Sequence, residues 1–162
     1  MIKAIEHAGV YLTVWYGEPT IADVDETLRA AQTMYARLGR PLVLVGVLTP
    51  STAMPSAPVM ERMMRNWPLL LRVASTMQYV NLDGGREISL LTATRFIGFL
   101  IDRFVFARHG KRVTLQSDLD SALKVVCEED PSADIAELRR SVDTLLAQLR
   151  EERGSRQRVS AR

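Results

Sequence analysis

Reactive and metal-binding side chains are scarce in this sequence. Among 162 residues there is one cysteine, Cys127, and two histidines, His7 and His109. A single cysteine cannot close an intramolecular disulfide, and these three residues do not make a zinc-ligand spacing, so no metal and no cofactor is expected and a reducing, cytoplasmic location fits best. Neither G-x-G-x-x-G nor G-x-x-x-x-G-K-[ST] occurs, and Gly84-Gly85 is not a phosphate cradle, which excludes nucleotide binding by those routes. Cys127 follows Val125 and Val126 on one expected helix and reads as a small buried hydrophobe in preference to the thiol of a catalytic pair with either histidine. No apolar run approaches the roughly 20 residues of a membrane span, and Met1 to Val10 lacks the pattern of a secretory signal, so the chain is expected to be neither embedded nor exported. A net charge of +2 is far from the basic stripe of a nucleic-acid binder. The tail residues Arg150, Arg153, Arg156, Arg158 and Arg162 are diluted by Glu151 and Glu152, which places nucleic-acid binding last among the functional readings.

Apolar surface, by contrast, is plentiful. Hydrophobic residues make up 47% of the chain and charged ones 25%, enough to bury one core. Val10, Leu12, Val14 and Tyr16 alternate with Tyr11, Thr13 and Trp15, the period of a strand. Gly17, Glu18 and Pro19 end it. Thr20 with Asp23 then reads as the cap of a helix running from Ile21 to Leu38, whose apolar positions step by three and four and which Gly39 closes. Pro41 to Leu48, PLVLVGVL, is apolar on both faces, as a central parallel strand must be.

The following loop, TPSTAMPSAP, leads into a helix near Pro58 that Pro68 should kink or divide before Ser75. Further strands are expected at Met77 to Leu82 and Val113 to Gln116. Asp83-Gly84-Gly85 is read as a turn into a long apolar helix from about Glu87 to Phe104. Ser117 with Asp120 resembles a helix start, with Leu119, Ala122, Leu123 and Val126 forming an apolar face. Asp130-Pro131 marks a boundary, with Pro131 placed in the first turn of a last helix. The expected fold class is α/β, a mixed, mostly parallel sheet of four to five strands with helices packed on it, plus a C-terminal amphipathic helix. The parts are residues 1–129, the helix 130–153 and a polar Arg-rich tail 154–162.

The Val10 to Tyr16 strand with Gly17, Pro19, Thr20 and Asp23, the PLVLVGVL strand, and Asp118, Leu119, Ala122 and Leu123 together resemble the STAS and SpoIIAA-like domains over roughly residues 5 to 127. The resemblance implies a SpoIIAA-like α/β domain that acts without catalysis, by binding partner proteins, in some members under phosphorylation of a serine after the central strand. By position that serine is Ser56, with Ser51 and Thr52 beside it. The local sequence is Pro55-Ser56-Ala57-Pro58, where members with the switch carry Asp-Ser-x-Gly. The hydroxyl chemistry alone assigns these residues to helix capping and loop satisfaction.

Three further features are candidates for interaction. Ile135, Leu138, Val142, Leu145 and Leu149 recur at spacings of three and four, a narrow seam suited to packing in cis or against another copy. Arg103, Arg108, Lys111 and Arg112, around His109, form the densest basic cluster, suited to an acidic partner or remaining a solvated loop. Met54, Met60, Met63, Met64 and Trp67 make a soft apolar group read first as core. The leading expectation is a regulatory or scaffolding protein working through a protein partner or its own homo-oligomer. The alternative is a small-ligand or lipid carrier whose cavity Phe96, Phe99 and Phe104 help to line.

Overall fold

Val10, Leu12 and Val14 face one side of a strand and Tyr11, Thr13 and Trp15 the other, and both sides are buried. That strand, β2 (Val10–Trp15), pairs in parallel with the equally buried β3 (Leu42–Leu48), the apolar run whose two-faced pattern requires cover on each side. In the computed structural model, which describes residues 1–82, 112–116 and 118–160, β3 is the middle of a five-stranded sheet. Next to it come β4 (Ala74–Asn81) and then β5 (Arg112–Gln116), both parallel. The expected α/β class and the mixed, mostly parallel sheet are what is observed.

One strand is not announced by the hydrophobic pattern. β1 (Ile2–His7) pairs antiparallel with β2 through the two-residue turn Ala8-Gly9, in register from Ile2 opposite Trp15 to His7 opposite Val10. Ala8 takes the turn with a positive φ of 49°, a conformation that usually selects glycine or asparagine.

Helices cover both faces. On the first lie α1 (Ile21–Leu38) and α2 (Ala57–Val73), over Tyr11, Trp15, Leu44, Leu48, Met77 and Tyr79. The Thr20–Asp23 capping box is formed in full, the Thr20 hydroxyl accepting from the Asp23 amide at 3.1 Å and the Asp23 carboxylate from the Thr20 amide at 2.8 Å. Gly39 closes α1 in the left-handed conformation. On the second face, α3 (Leu119–Glu129) and α4 (Ile135–Ser160) pack over Val10, Leu12, Val14, Val43, Val45, Val47 and Val80.

Several boundaries differ from the sequence reading, each for a local reason. α2 is one helix that contains Pro68; of the kink or division expected there, the division does not occur. Met63, Trp67 and Leu71 bury its inner stripe on both sides of the proline, and that packing outweighs one lost backbone bond. α3 is capped by Asp118 in place of Ser117, its carboxylate accepting from the Ser121 amide at 2.8 Å. α4 starts at Ile135 and not at Pro131, because Asp134 accepts from the Glu137 amide at 2.9 Å and caps it there; its backbone stays helical to Ser160. Cys127, expected inside, is exposed on α3. The turn at Gly84-Gly85, the helix expected at 87–104 and the candidates Phe96, Phe99, Phe104 and His109 lie outside the described residues.

Candidate functional site

A glycine in the centre of the sheet leaves an enclosed space beside it among the described residues. Gly46 of β3 stands between Thr13 of β2 and Tyr79 of β4 in register, on the face covered by α1 and α2. With no side chain at Gly46, the Tyr79 ring lies across the strand. A Cβ there would come within 2.8 and 2.9 Å of Tyr79 ring carbons. Trp67 of α2 stacks on Tyr79, ring centroids 6.1 Å apart at an interplanar angle of 13°. Burial pushes the Tyr79 hydroxyl well above the ordinary tyrosine range.

The hollow left beside this stack is a cavity of about 50 Å³ between sheet and helices, walled by Tyr11, Trp15, Leu44, Met63, Trp67 and Tyr79 among others. Its polar groups are few and mostly engaged. Trp15 Nε1 donates to the Thr13 hydroxyl at 3.1 Å. Asn66 Nδ2 donates to Asp25 at 3.0 Å, and Arg62 Nε lies 3.2 Å from the same carboxylate, which ties α2 to α1 beside the cavity. Burial first, and the Glu6 charge after it, push the Tyr11 phenol up to about 12 against a hydrogen bond with the Thr27 side chain. Trp67 is 2% exposed, and its Nε1, sealed off by packing, has no hydrogen-bond partner among the described residues. An indole N–H is a donor only, and leaving one buried and unpaired costs about 1–3 kcal/mol.

A second, surface groove of about 360 Å³ runs between Ala4 and Ile5 of β1 and Glu137, Arg140, Ser141, Thr144, Leu145 and Gln148 of α4. It is open, with a wall of mixed apolar and polar side chains, and no orphaned group faces it among the described residues.

The residues singled out from sequence fall elsewhere. Thr52 is structural: its hydroxyl donates to the Trp15 carbonyl at 2.8 Å and accepts from the Thr49 amide at 3.0 Å. The Ser51 carbonyl accepts from Gly17 at 2.9 Å, binding this loop to the end of β2. Ser56 is exposed at the N-cap of α2, where its side chain makes no capping bond. Leu138, Val142 and Leu149 of the seam are buried in the second-face core, with Ile135 and Leu145 packed against them. The seam therefore packs in cis, on the chain's own sheet. Arg103, Arg108 and Lys111 lie outside the described residues, as does the side chain of Arg112. Of the methionine group, Met63 is buried with Trp67 as expected, Met60 is packed against the core, and Met54 is exposed. Gly46 and the indole N–H of Trp67 were missed from sequence: a missing side chain inside an apolar run, and an unpaired atom on a core residue, leave no pattern.

Among the described residues no group of three or more His, Cys, Asp or Glu side chains is placed to hold a metal ion, and no helix is long and apolar enough to cross a membrane. The sequence matches no protein-family model, no curated protein and no solved structure.

Proposed function

We propose that this protein acts by binding and not by catalysis, and that it takes a small, largely apolar ligand between the sheet and helices α1 and α2. The observation that carries this reading is the apolar-walled hollow over Gly46. A few polar groups in an apolar pocket under helices is the usual make-up of small-molecule sites. Native mass spectrometry of the chain purified from its own cells tests it. A bound small mass that is lost in the Gly46→Leu variant supports the reading, and a bare chain that also fails to take up small apolar probes rejects it.

A regulatory or scaffolding role through a protein partner or a second copy is the other reading, and one observation favours it. Ile21 and Met54 are 41% and 46% exposed. They sit on segments joined by the Gly17–Ser51 and Ala53–Gly17 backbone bonds, beyond the carboxyl ends of β2 and β3. In open parallel sheets that end is where ligands and partners are met. Replacing both residues by Asp is expected to remove a partner that co-purifies through this end and to leave the fold unchanged. Retention of every partner by the double variant rejects it.

A further inference from the structure

The sheet ends at β1 in an open edge, and the hydrogen-bond phase of the hairpin fixes which groups that edge presents. His7 and Val10 flank the two-residue turn, and the Tyr16 amide donates to the Met1 carbonyl at 3.0 Å, so the odd-numbered residues of β1 bond to β2. The other side of β2 keeps the same phase, with Thr49 donating to Trp15 and Val43 to Gly9. The amides and carbonyls of Ala4 and Glu6 therefore point away from the sheet, and among the described residues no strand lies beyond them. Ile2 points the same way, but its amide is engaged by the Asp23 carboxylate. We infer that this edge pairs with the same edge of a second copy of the chain, antiparallel about a twofold axis through Ile5, and makes one continuous sheet of the two.

The register follows from the free groups. In an antiparallel ladder, outward residues must stand opposite outward residues. A twofold axis at Lys3 or Ala4 spends pairs on Ile2, whose amide is taken. One at Glu6 sets two carboxylates opposite each other, which is unfavourable. An axis at Ile5 sets Ala4 opposite the copy's Glu6 and Glu6 opposite the copy's Ala4. Each such pair exchanges both of its hydrogen bonds, so every free amide and carbonyl of the two residues is satisfied.

The side chains choose the occupant. Ile5 packs into the second-face core, and across the axis it meets Ile5 of the copy in a pair without hydrogen bonds, where side chains approach most closely. On the same face Lys3 falls opposite the copy's His7. In each chain the His7 Nε2 accepts from the Asp134 amide at 3.0 Å, and its Nδ1 lies 3.7 Å from the Glu137 carboxylate. Lys3 is exposed and has no ion pair of its own among the described residues, and from that position its stem reaches the copy's Glu137. The surface groove of about 360 Å³ along Ala4, Ile5, Glu137 and Leu145 is where these side chains of the copy are received. On the opposite face the Ala4 methyl leaves room for the copy's Glu6, which keeps its own 2.8 Å bond to Arg37.

A lysine on an edge strand ordinarily keeps other strands away. Lys3 excludes a strand that brings no acid to that position and favours one that does. The chain itself does, at both ends of the pairing by symmetry, because Lys3 opens β1 and the His7–Glu137 contact closes it.

Sedimentation velocity of the full chain over micromolar to millimolar concentrations tests this. A short ladder is a small interface, so a dimer that dissociates on dilution is expected. Ala4→Pro removes the outward amide of that residue and none that bonds to β2, and proline is tolerated on edge strands; it is expected to give a monomer with an unchanged circular dichroism spectrum. Lys3→Glu is expected to weaken dimerisation about tenfold, since symmetry uses the contact twice, and Lys3→Glu/Glu137→Lys to restore it. If Ala4→Pro does not fold, the charge reversal and its rescue decide alone. A monomer at every concentration overturns the inference and leaves the ligand-binding reading untouched. A dimer that survives in folded Ala4→Pro, or is lost in Ile21→Asp/Met54→Asp and unaffected by Lys3→Glu, overturns it in favour of another surface.

Discussion

The amide of Gly9 donates a 2.8 Å hydrogen bond to the carboxylate of Asp130, 121 residues away in the chain. The same carboxylate accepts from Arg40 at 2.8 Å and from the Ser132 hydroxyl and amide at 2.6 and 3.2 Å. One buried charge thus joins the β1–β2 turn, the start of β3 and the junction of α3 with α4. Burying a carboxylate is tolerable only with this degree of compensation, because each bond to the ionised form offsets part of its lost hydration. The node fixes where α4 leaves α3, and so lays its apolar stripe on the sheet.

Gly9 is required by that closeness and not by its backbone angles. A Cβ at this position would lie 2.4 Å from Asp130 Oδ2 and 2.8 Å from Arg40 Nη2. Gly9→Ala is expected to displace the carboxylate and lower stability by about 2 kcal/mol, the scale of a disrupted charge-assisted hydrogen bond. Urea denaturation compared with the unaltered chain measures it. A loss under about 0.5 kcal/mol, the level of an ordinary surface substitution, would show that the node does not hold the junction.

The node also makes stability depend on pH in a definite direction. Burial raises the Asp130 pKa, but the bonds from Arg40, Ser132 and Gly9 outweigh it and bring it to about 2, below the ordinary 3.8. The folded state therefore holds fewer protons than the unfolded one between these values. The contribution is complete above about pH 4 and disappears as pH falls through 2. Asp23 and Asp134 are shifted in the same direction, for Asp23 by the Thr20 bonds acting against burial and for Asp134 chiefly by the Glu137 amide. Denaturation midpoints are expected to drop between pH 5 and 2. The Asp130→Asn variant should start lower at pH 7 and drop less steeply. Parallel curves for the two proteins would remove Asp130 from the explanation.

The seam on α4 leads to a prediction about stability and not assembly. Leu138 and Val142 are fully buried beneath α4 and Leu149 nearly so. Burial of such side chains contributes about 1.5–3 kcal/mol each, enough to hold a helix that would be marginal in water alone. Leu138→Ala is expected to cost about 2–4 kcal/mol and to leave the sedimentation coefficient of the folded protein unchanged. A change of oligomeric mass with full stability retained would mean that the seam binds another chain.

What could be read from sequence follows from where the physics is local. The alternation in β2, the two-faced run of β3, and the Thr20 and Gly39 caps are short-range patterns, and each is found in place. β1 escaped because an edge strand needs no apolar face: Lys3, Ala4 and Glu6 are exposed, and Ile2 and Ile5 are spaced by three. Asp130 was legible as a boundary beside Pro131, but its partners Gly9 and Arg40 are long-range. The cavity was hidden for a related reason, since PLVLVGVL reads as uniformly apolar and the vacancy at its Gly46 matters only beside Thr13 and Tyr79.

That vacancy gives the sharpest test of the site. Gly46→Ala places a methyl group against the Tyr79 ring, at 2.8 Å from one ring carbon. A ring stacked on Trp67 cannot swing away without disturbing that stack. The substitution is expected to destabilise by about 1–3 kcal/mol through overpacking, and to weaken probe binding as the stack is pushed into the cavity. Shortening the opposing side chain should relieve the clash: in Gly46→Ala/Tyr79→Leu the two costs should combine to less than their sum, by at least about 0.5 kcal/mol. Thermal denaturation of the two single variants and the double variant closes the cycle. Strict additivity would mean that Gly46 and Tyr79 do not meet across the sheet, and the hollow between them would lose its structural cause.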